Sequence, residues 1–174
     1  IGKSTLLELI AKRDAEGIFI APDVRIGYYR QDFSTLNFSD TVYESLAETT
    51  RRVSGRVNEE AIRSTVAGFL ITGDMVHTKI GSLSEGQKGL VAFAQLVLTR
   101  PGLLILDEPT RGLDYRAKNL FAIALKEYAA QFNRPVLLAT HDVELVAELA
   151  DRVLFLAEGE VVADGTTLDV LLSS

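Results

Sequence analysis

An α/β fold, a mostly parallel sheet flanked by helices, is predicted by three observations. Residues 103–106, Leu-Leu-Ile-Leu, are uniformly apolar and short, as a strand covered on both faces should be. Residues 25–29 and 136–140 read as further short strands. Between and after them stand stretches of helical length and periodicity, each preceded by a residue able to cap it. Strands alternating with helices imply parallel pairing.

The first helix is expected from Ser4 to about Lys12, with Leu6, Leu7 and Ile10 turned inward. Asp40 is a plausible N-cap for a helix over 41–48, and residues 51–56 read as a polar loop containing Ser54 and Gly55. Asn58 can cap a second helix running to about Leu70. Residues 40–81 then form a mostly helical insertion between two parts of the α/β core. Ser84 followed by Gln87 is a capping-box pattern, opening a helix to about Thr99 that Pro101-Gly102 ends. Asp114 can cap a helix through Ala130, and Asp142 one over 143–150. Residues 153–156 and 160–163 flank Glu158-Gly159 and read as a hairpin. Thr166 and Asp169 form a second capping box before the last helix.

The chain has 174 residues, long enough to bury a sizeable core as one domain. No apolar run is long enough to span a membrane. It has no cysteine, which excludes disulfides and thiolate metal sites and fits a reducing cytosol. A net charge of −6 argues against broad nucleic-acid binding, which needs clustered Lys and Arg. The Arg51, Arg52 and Arg56 group reads as a solvated face.

Four short motifs carry chemistry. Gly2-Lys3-Ser4-Thr5 has the form that closes a phosphate loop, G-x-x-x-x-G-K-[ST], at the start of a helix. The earlier loop glycines and the strand that feeds the loop are not in this sequence, so it reads as a fragment that begins inside the loop. Such a fragment is expected to hold a phosphate less well alone and to leave an unpaired edge in its sheet. Asp107 and Glu108 end the 103–106 strand. Two adjacent carboxylates there are costly unless a cation or proton offsets them, and they suit magnesium binding and water activation. Ser84-Glu85-Gly86-Gln87 is a serine–glycine turn at a helix start, where a phosphate can be held; a plain N-cap uses the same residues. His141 follows a strand, between Ala139-Thr140 and Asp142.

Together these motifs resemble the ATP-binding-cassette (ABC) ATPases, a P-loop NTPase-type fold with an inserted helical subdomain, over essentially the whole chain. The resemblance identifies Gly2, Lys3, Ser4 and Thr5 as ATP-binding residues, with Ser4 also on Mg2+. It makes Asp107 the magnesium-holding carboxylate and Glu108 the residue that orients or deprotonates the attacking water. His141 is the switch histidine, Asp114 the D-loop aspartate, and Gln31 the Q-loop glutamine that senses the metal and the water. Ser84, Gly86 and Gln87 are the signature, offered to ATP across a head-to-tail pair of cassettes. Glu85 departs from the usual Leu-Ser-Gly-Gly-Gln and places a carboxylate near the γ-phosphate.

Two branches of the family share the resemblance. Residues 26–33 and 83–94 resemble the soluble tandem ABC-F proteins, many of which act on ribosomes. From Thr110 onward, through Arg111-Gly112-Leu113-Asp114, residues 138–151 and 159–165, the chain resembles ATPase subunits of cobalt and energy-coupling-factor importers. The importer reading implies membrane permease partners and a cytoplasmic place at the inner face of the membrane. The ABC-F reading implies a ribosomal contact. A non-catalytic regulatory cassette is a third reading, motivated by the partial loop and Glu85.

Overall fold

A computed structural model of the chain describes residues 2–30 and 33–172. Three strands, β1 (Ile26–Tyr29), β2 (Leu103–Asp107) and β3 (Val136–Ala139), form a parallel sheet in the order β1-β2-β3. Ile26 stands opposite Leu103, and Leu104 opposite Val136. The apolar centre of β2, Leu104 to Leu106, is fully buried. Its side chains alternate between two cores, as a strand's two-residue period requires. Ile105 joins Leu7, Ile10 and Ala139 beneath α1 (Lys3–Ala11). Leu104 and Leu106 face the larger core on the other side.

That larger core joins the sheet to the helices between β1 and β2: α2 (Val42–Ser54), α3 (Glu59–Gly68), the single turn α4 (Gly73–Val76) and α5 (Glu85–Leu98). At its centre Phe93 of α5 is fully buried. It stacks on Phe69 at 5.1 Å between ring centroids and meets Phe121 at 5.0 Å. Tyr29 of β1 approaches the same ring edge-on at 6.2 Å. Such aromatic pairs add about 0.5–1.5 kcal/mol each beyond area burial, so the helical stretch and the sheet are cemented at Phe93. Phe121 belongs to α6 (Tyr115–Phe132), which crosses over from β2 to β3.

The α2 region differs from the sequence expectation in two ways. Thr41, not Asp40, is the N-cap: its side chain accepts from the Glu44 N–H, and Glu44 returns a bond to the Thr41 N–H at 2.7 Å. The helix also continues through the expected polar loop as far as Ser54, where Gly55 at φ 76° ends it in the left-handed region. Thr49, Thr50 and Ser54 tolerate that extension because each hydroxyl bonds back to a carbonyl of the preceding turn. Asn58 caps α3 as expected.

Beyond β3 come α7 (Val143–Leu149), the antiparallel pair β4 (Arg152–Ala157) and β5 (Glu160–Thr166), and α8 (Thr167–Leu172). Glu158 and Gly159 both have positive φ, 50° and 87°, the turn geometry that matches strand twist in a tight hairpin. Asp169 donates its N–H to Thr166 Oγ1 and places Oδ2 2.7 Å from the same hydroxyl. Residues 136–138 are half-buried, because β3 has only one neighbour in the described sheet. Among the described residues no helix is long and apolar enough to cross a membrane.

Candidate active site

The C-terminal ends of β2 and β3 and the N-terminus of α1 converge on one open cleft of about 860 Å³. Ligands in open parallel sheets bind at this edge, outside the carboxyl ends of the strands. Gly2, Lys3, Ser4, Thr5, Asp107, Glu108 and His141 all line it. Gly2 precedes α1 at φ 99°, a conformation that favours glycine, and no side chain caps the helix. The first turn of α1 therefore offers backbone N–H groups and a positive dipole end to an anion.

Lys3 reaches across the cleft. Its Nζ lies 3.4 Å from Glu108 Oε1, 3.3 Å from His141 Nδ1 and 3.1 Å from His141 Nε2. Glu108 is held from both sides. Its N–H donates to the Ala139 carbonyl at 2.8 Å, and its Oε2 accepts the His141 N–H at 3.2 Å. Glu108 Oε1 is also 3.2 Å from His141 Nε2. The backbone of Glu108 has φ 45°, a left-handed conformation that costs a non-glycine residue roughly 1–2 kcal/mol. That kink follows directly on an extended strand and sends the Asp107 and Glu108 carboxylates to different partners.

Asp107 Oδ2 accepts from the Tyr28 hydroxyl at 3.4 Å, while Oδ1 is buried without a protein hydrogen-bond partner. Burial, and next the charge of Asp107, raise the Tyr28 pKa above the ordinary phenol value, so its hydroxyl remains a donor. Among the described residues no cluster of three or more His, Cys, Asp or Glu could hold a metal. A buried carboxylate oxygen lacking a donor, on a cleft that Ser4 also lines, fits one hard cation. Such an ion would complete its shell with phosphate oxygens and water, as Mg2+ does at nucleotide sites.

Beside this cluster Asp142 caps α7 through the Leu145 N–H and pairs with Lys118 at 3.0 Å. The Lys118 hydrogen bond, then the Leu145 N–H, hold its pKa below the usual carboxylate value. Sequence reasoning missed Tyr28 and Lys118. Neither lies in a phosphate-binding motif, and each reaches its partner only through the fold.

The turn that resembles the signature lies elsewhere. Ser84 caps α5, accepting from the Gln87 N–H at 3.2 Å, and Gln87 Oε1 accepts the Ser84 N–H at 3.0 Å. Both are exposed, and neither they, Gly86 nor Asp114 line the cleft of this chain. Glu85 turns to Lys88, 3.5 Å away. Gly86 is required by packing: a Cβ there would stand 2.5 Å from that of Ala117, in the first turn of the helix that Asp114 caps. Gln31 lies outside the described residues.

Comparison with known proteins gives the same family throughout. The family model described as ABC transporter matches residues 1–111. The putative ABC transporter ATP-binding protein SCO2324 of Streptomyces coelicolor is 44% identical over 152 residues, covering 86% of this chain and 26% of that protein. The chain thus spans about a quarter of that curated relative's length. The high-affinity zinc uptake system ATP-binding protein ZnuC of Bacillus subtilis is 35% identical over 159 residues, 87% of this chain and 67% of that protein. Among solved structures, the dimeric ATP-binding cassette MJ0796 bound to ADP and Pi superposes with TM-score 0.74 at 23% identity, covering 95% of this chain and 81% of that one. CbiO1 from Clostridium perfringens, part of the ABC transporter complex cbiONQ, matches with TM-score 0.70 at 28% identity over 85% of this chain and 59% of that one. The matched family model, these relatives and the α/β fold agree with the clustered cleft: the chain belongs to the ABC transporter family as an ATP-binding cassette.

Proposed function

We propose that this chain binds Mg·ATP in the cleft between α1 and the ends of β2 and β3, and hydrolyses it as half of a head-to-tail pair of cassettes that powers an importer. The observation that carries the reading is the direct meeting of Lys3, Glu108 and His141, brought from three distant parts of the chain. Lys3 exchanges its carboxylate and imidazole partners for the β- and γ-phosphates, and the first turn of α1 holds the same oxygens. Ser4 and Asp107, with Gln31, would hold Mg2+, which when bound neutralises phosphate charge. Glu108, freed from Lys3, takes the proton of the attacking water as its oxygen bonds to the γ-phosphorus and the bond to ADP breaks. His141 lies beside Glu108 and steadies the γ-phosphate.

The signature completes the site from a second cassette, since Ser84 and Gly86 do not line the cleft of their own chain. Glu85 leans along α5 toward Lys88, so its carboxylate is partly neutralised. Residues 40–81 act as the inserted helical unit that transmits the nucleotide state to a permease at the inner face of the membrane. The importer branch is favoured by the likeness to ZnuC, named for zinc uptake, and to CbiO1 of a transporter complex. The ribosomal reading rests on the residue likeness at 26–33 and 83–94 alone. The regulatory reading is opposed by the intact Lys3, Glu108 and His141 cluster.

Glu108→Gln tests the reading. Magnesium-dependent phosphate release should fall by about 100- to 10,000-fold, the usual contribution of a general base, while ATP binding persists and an ATP-dependent dimer accumulates. Equal rates in wild type and variant would reject it.

A further inference from the structure

The carboxylate of Asp107 is gripped at one oxygen only, and the grip comes from β1. In the parallel register Tyr28 stands opposite Ile105, two residues before Asp107 along β2. Tyr28 packs with Leu103 and Ile26 against the core beneath α1, and its hydroxyl extends to Asp107 Oδ2 at 3.4 Å. The ring is itself held. The Arg30 guanidinium lies over it at 5.3 Å from the centroid, and Arg30 is tied by an ion pair to Glu8 of α1. Glu8, Arg30, Tyr28 and Asp107 thus form a continuous line from the phosphate-binding helix to the strand end.

The other oxygen, Oδ1, is buried and has no donor. A carboxylate can rotate about its last bond and exchange its oxygens, and a donor on one of them removes that freedom. Groups that orient a metal ligand in this way are worth 10- to 100-fold in metal affinity, by the general rule for such partners.

We propose that Tyr28 is a positioning residue for the metal: its hydroxyl fixes Asp107 through Oδ2 and leaves Oδ1, which has no protein donor, as the oxygen for a divalent cation. This rests on the proposed role of Asp107 as the magnesium-holding carboxylate. A tyrosine that merely filled the core would use its ring and not its hydroxyl, and Tyr28→Phe separates the two. The variant keeps the ring, its packing and the Arg30 contact.

The test is Mn2+ titration followed by electron paramagnetic resonance, in the presence of a non-hydrolysable ATP analogue, on the chain expressed with any native residues that precede Ile1. Wild type, Tyr28→Phe, Asp107→Asn and the double variant are compared, with melting temperatures and metal-free nucleotide binding measured alongside. Tyr28→Phe should weaken Mn2+ binding about tenfold, with metal-free nucleotide binding and melting temperature close to wild type. Added to Asp107→Asn it should cost nothing more, because the two residues act as one unit. Wild-type Mn2+ affinity in Tyr28→Phe, with Asp107→Asn impaired, overturns this proposal alone. A loss in Tyr28→Phe that persists undiminished on the Asp107→Asn background also overturns it. Undiminished Mn2+ binding in Asp107→Asn, or no bound Mn2+ in wild type, overturns the underlying role of Asp107 as well.

Discussion

The phosphate cleft and the signature turn are built from the same kind of parts, a helix N-terminus and polar side chains beside it, yet they are finished differently. In the cleft, groups from the start of α1 and from just beyond the ends of β2 and β3 meet one another: Lys3 with Glu108, Glu108 with His141. At the signature turn, the side chains of Ser84 and Gln87 bond each other's backbone N–H in a capping box, and both residues are exposed. The cleft holds opposed charges waiting for a ligand to separate them. At the signature turn the two N–H groups of the capping box are already satisfied by side chains of the same turn. On the proposed reading, the difference teaches that the chain carries two halves of two sites.

That comparison can be strained from the signature side first. Gly86→Ala drives a Cβ into Ala117, and neither neighbour can yield without moving a helix start. The expected cost is about 1–3 kcal/mol, the usual range for overpacking, read by urea denaturation. Ala117→Gly in the same chain removes the clash, so the pair should show favourable coupling in a double-mutant cycle. Simple additivity would mean that the turn is not braced by α6.

A smaller effect tests the cleft side. Asp142→Asn keeps an acceptor for the Leu145 N–H but loses the charge facing Lys118. Because Asp142 titrates below its unfolded value in the folded chain, its charge stabilises above that unfolded value, 3.8. The contribution is lost as pH falls through the lowered folded value. Wild type should exceed the variant by about 0.5 kcal/mol near neutrality, the size of a half-exposed ion pair, and the gap should close in acid. A gap that widens on acidification would contradict the assignment.

Much of this was legible in the residues. The buried strand at 103–106, the cap of α5 at Ser84, the cap of α6 at Asp114 and the hairpin at Glu158-Gly159 each depend on local chemistry that sequence order preserves. The start of α2 was misplaced because Asp40 and Thr41 both suit an N-cap, and only the Glu44 return bond chooses between them. Its end was misplaced because Gly55, a sound helix terminator, was read with the polar residues before it as loop. Tyr28 was invisible for a different reason. Its hydroxyl meets Asp107 through strand register, and no spacing along the chain encodes that contact.

The central claim is that the cleft of one chain and the signature of another make one site. The direct test mixes two variants, Lys3→Ala and Ser84→Glu, and measures magnesium-dependent ATP hydrolysis. Each alone should be inactive, since every cleft in its dimer lacks either the lysine or the signature serine. Mixed dimers should recover activity, because one of their two sites pairs an intact Lys3 with an intact Ser84. A mixture that stays inactive although mixed dimers form, or a Ser84→Glu chain that hydrolyses ATP by itself, would contradict the shared site.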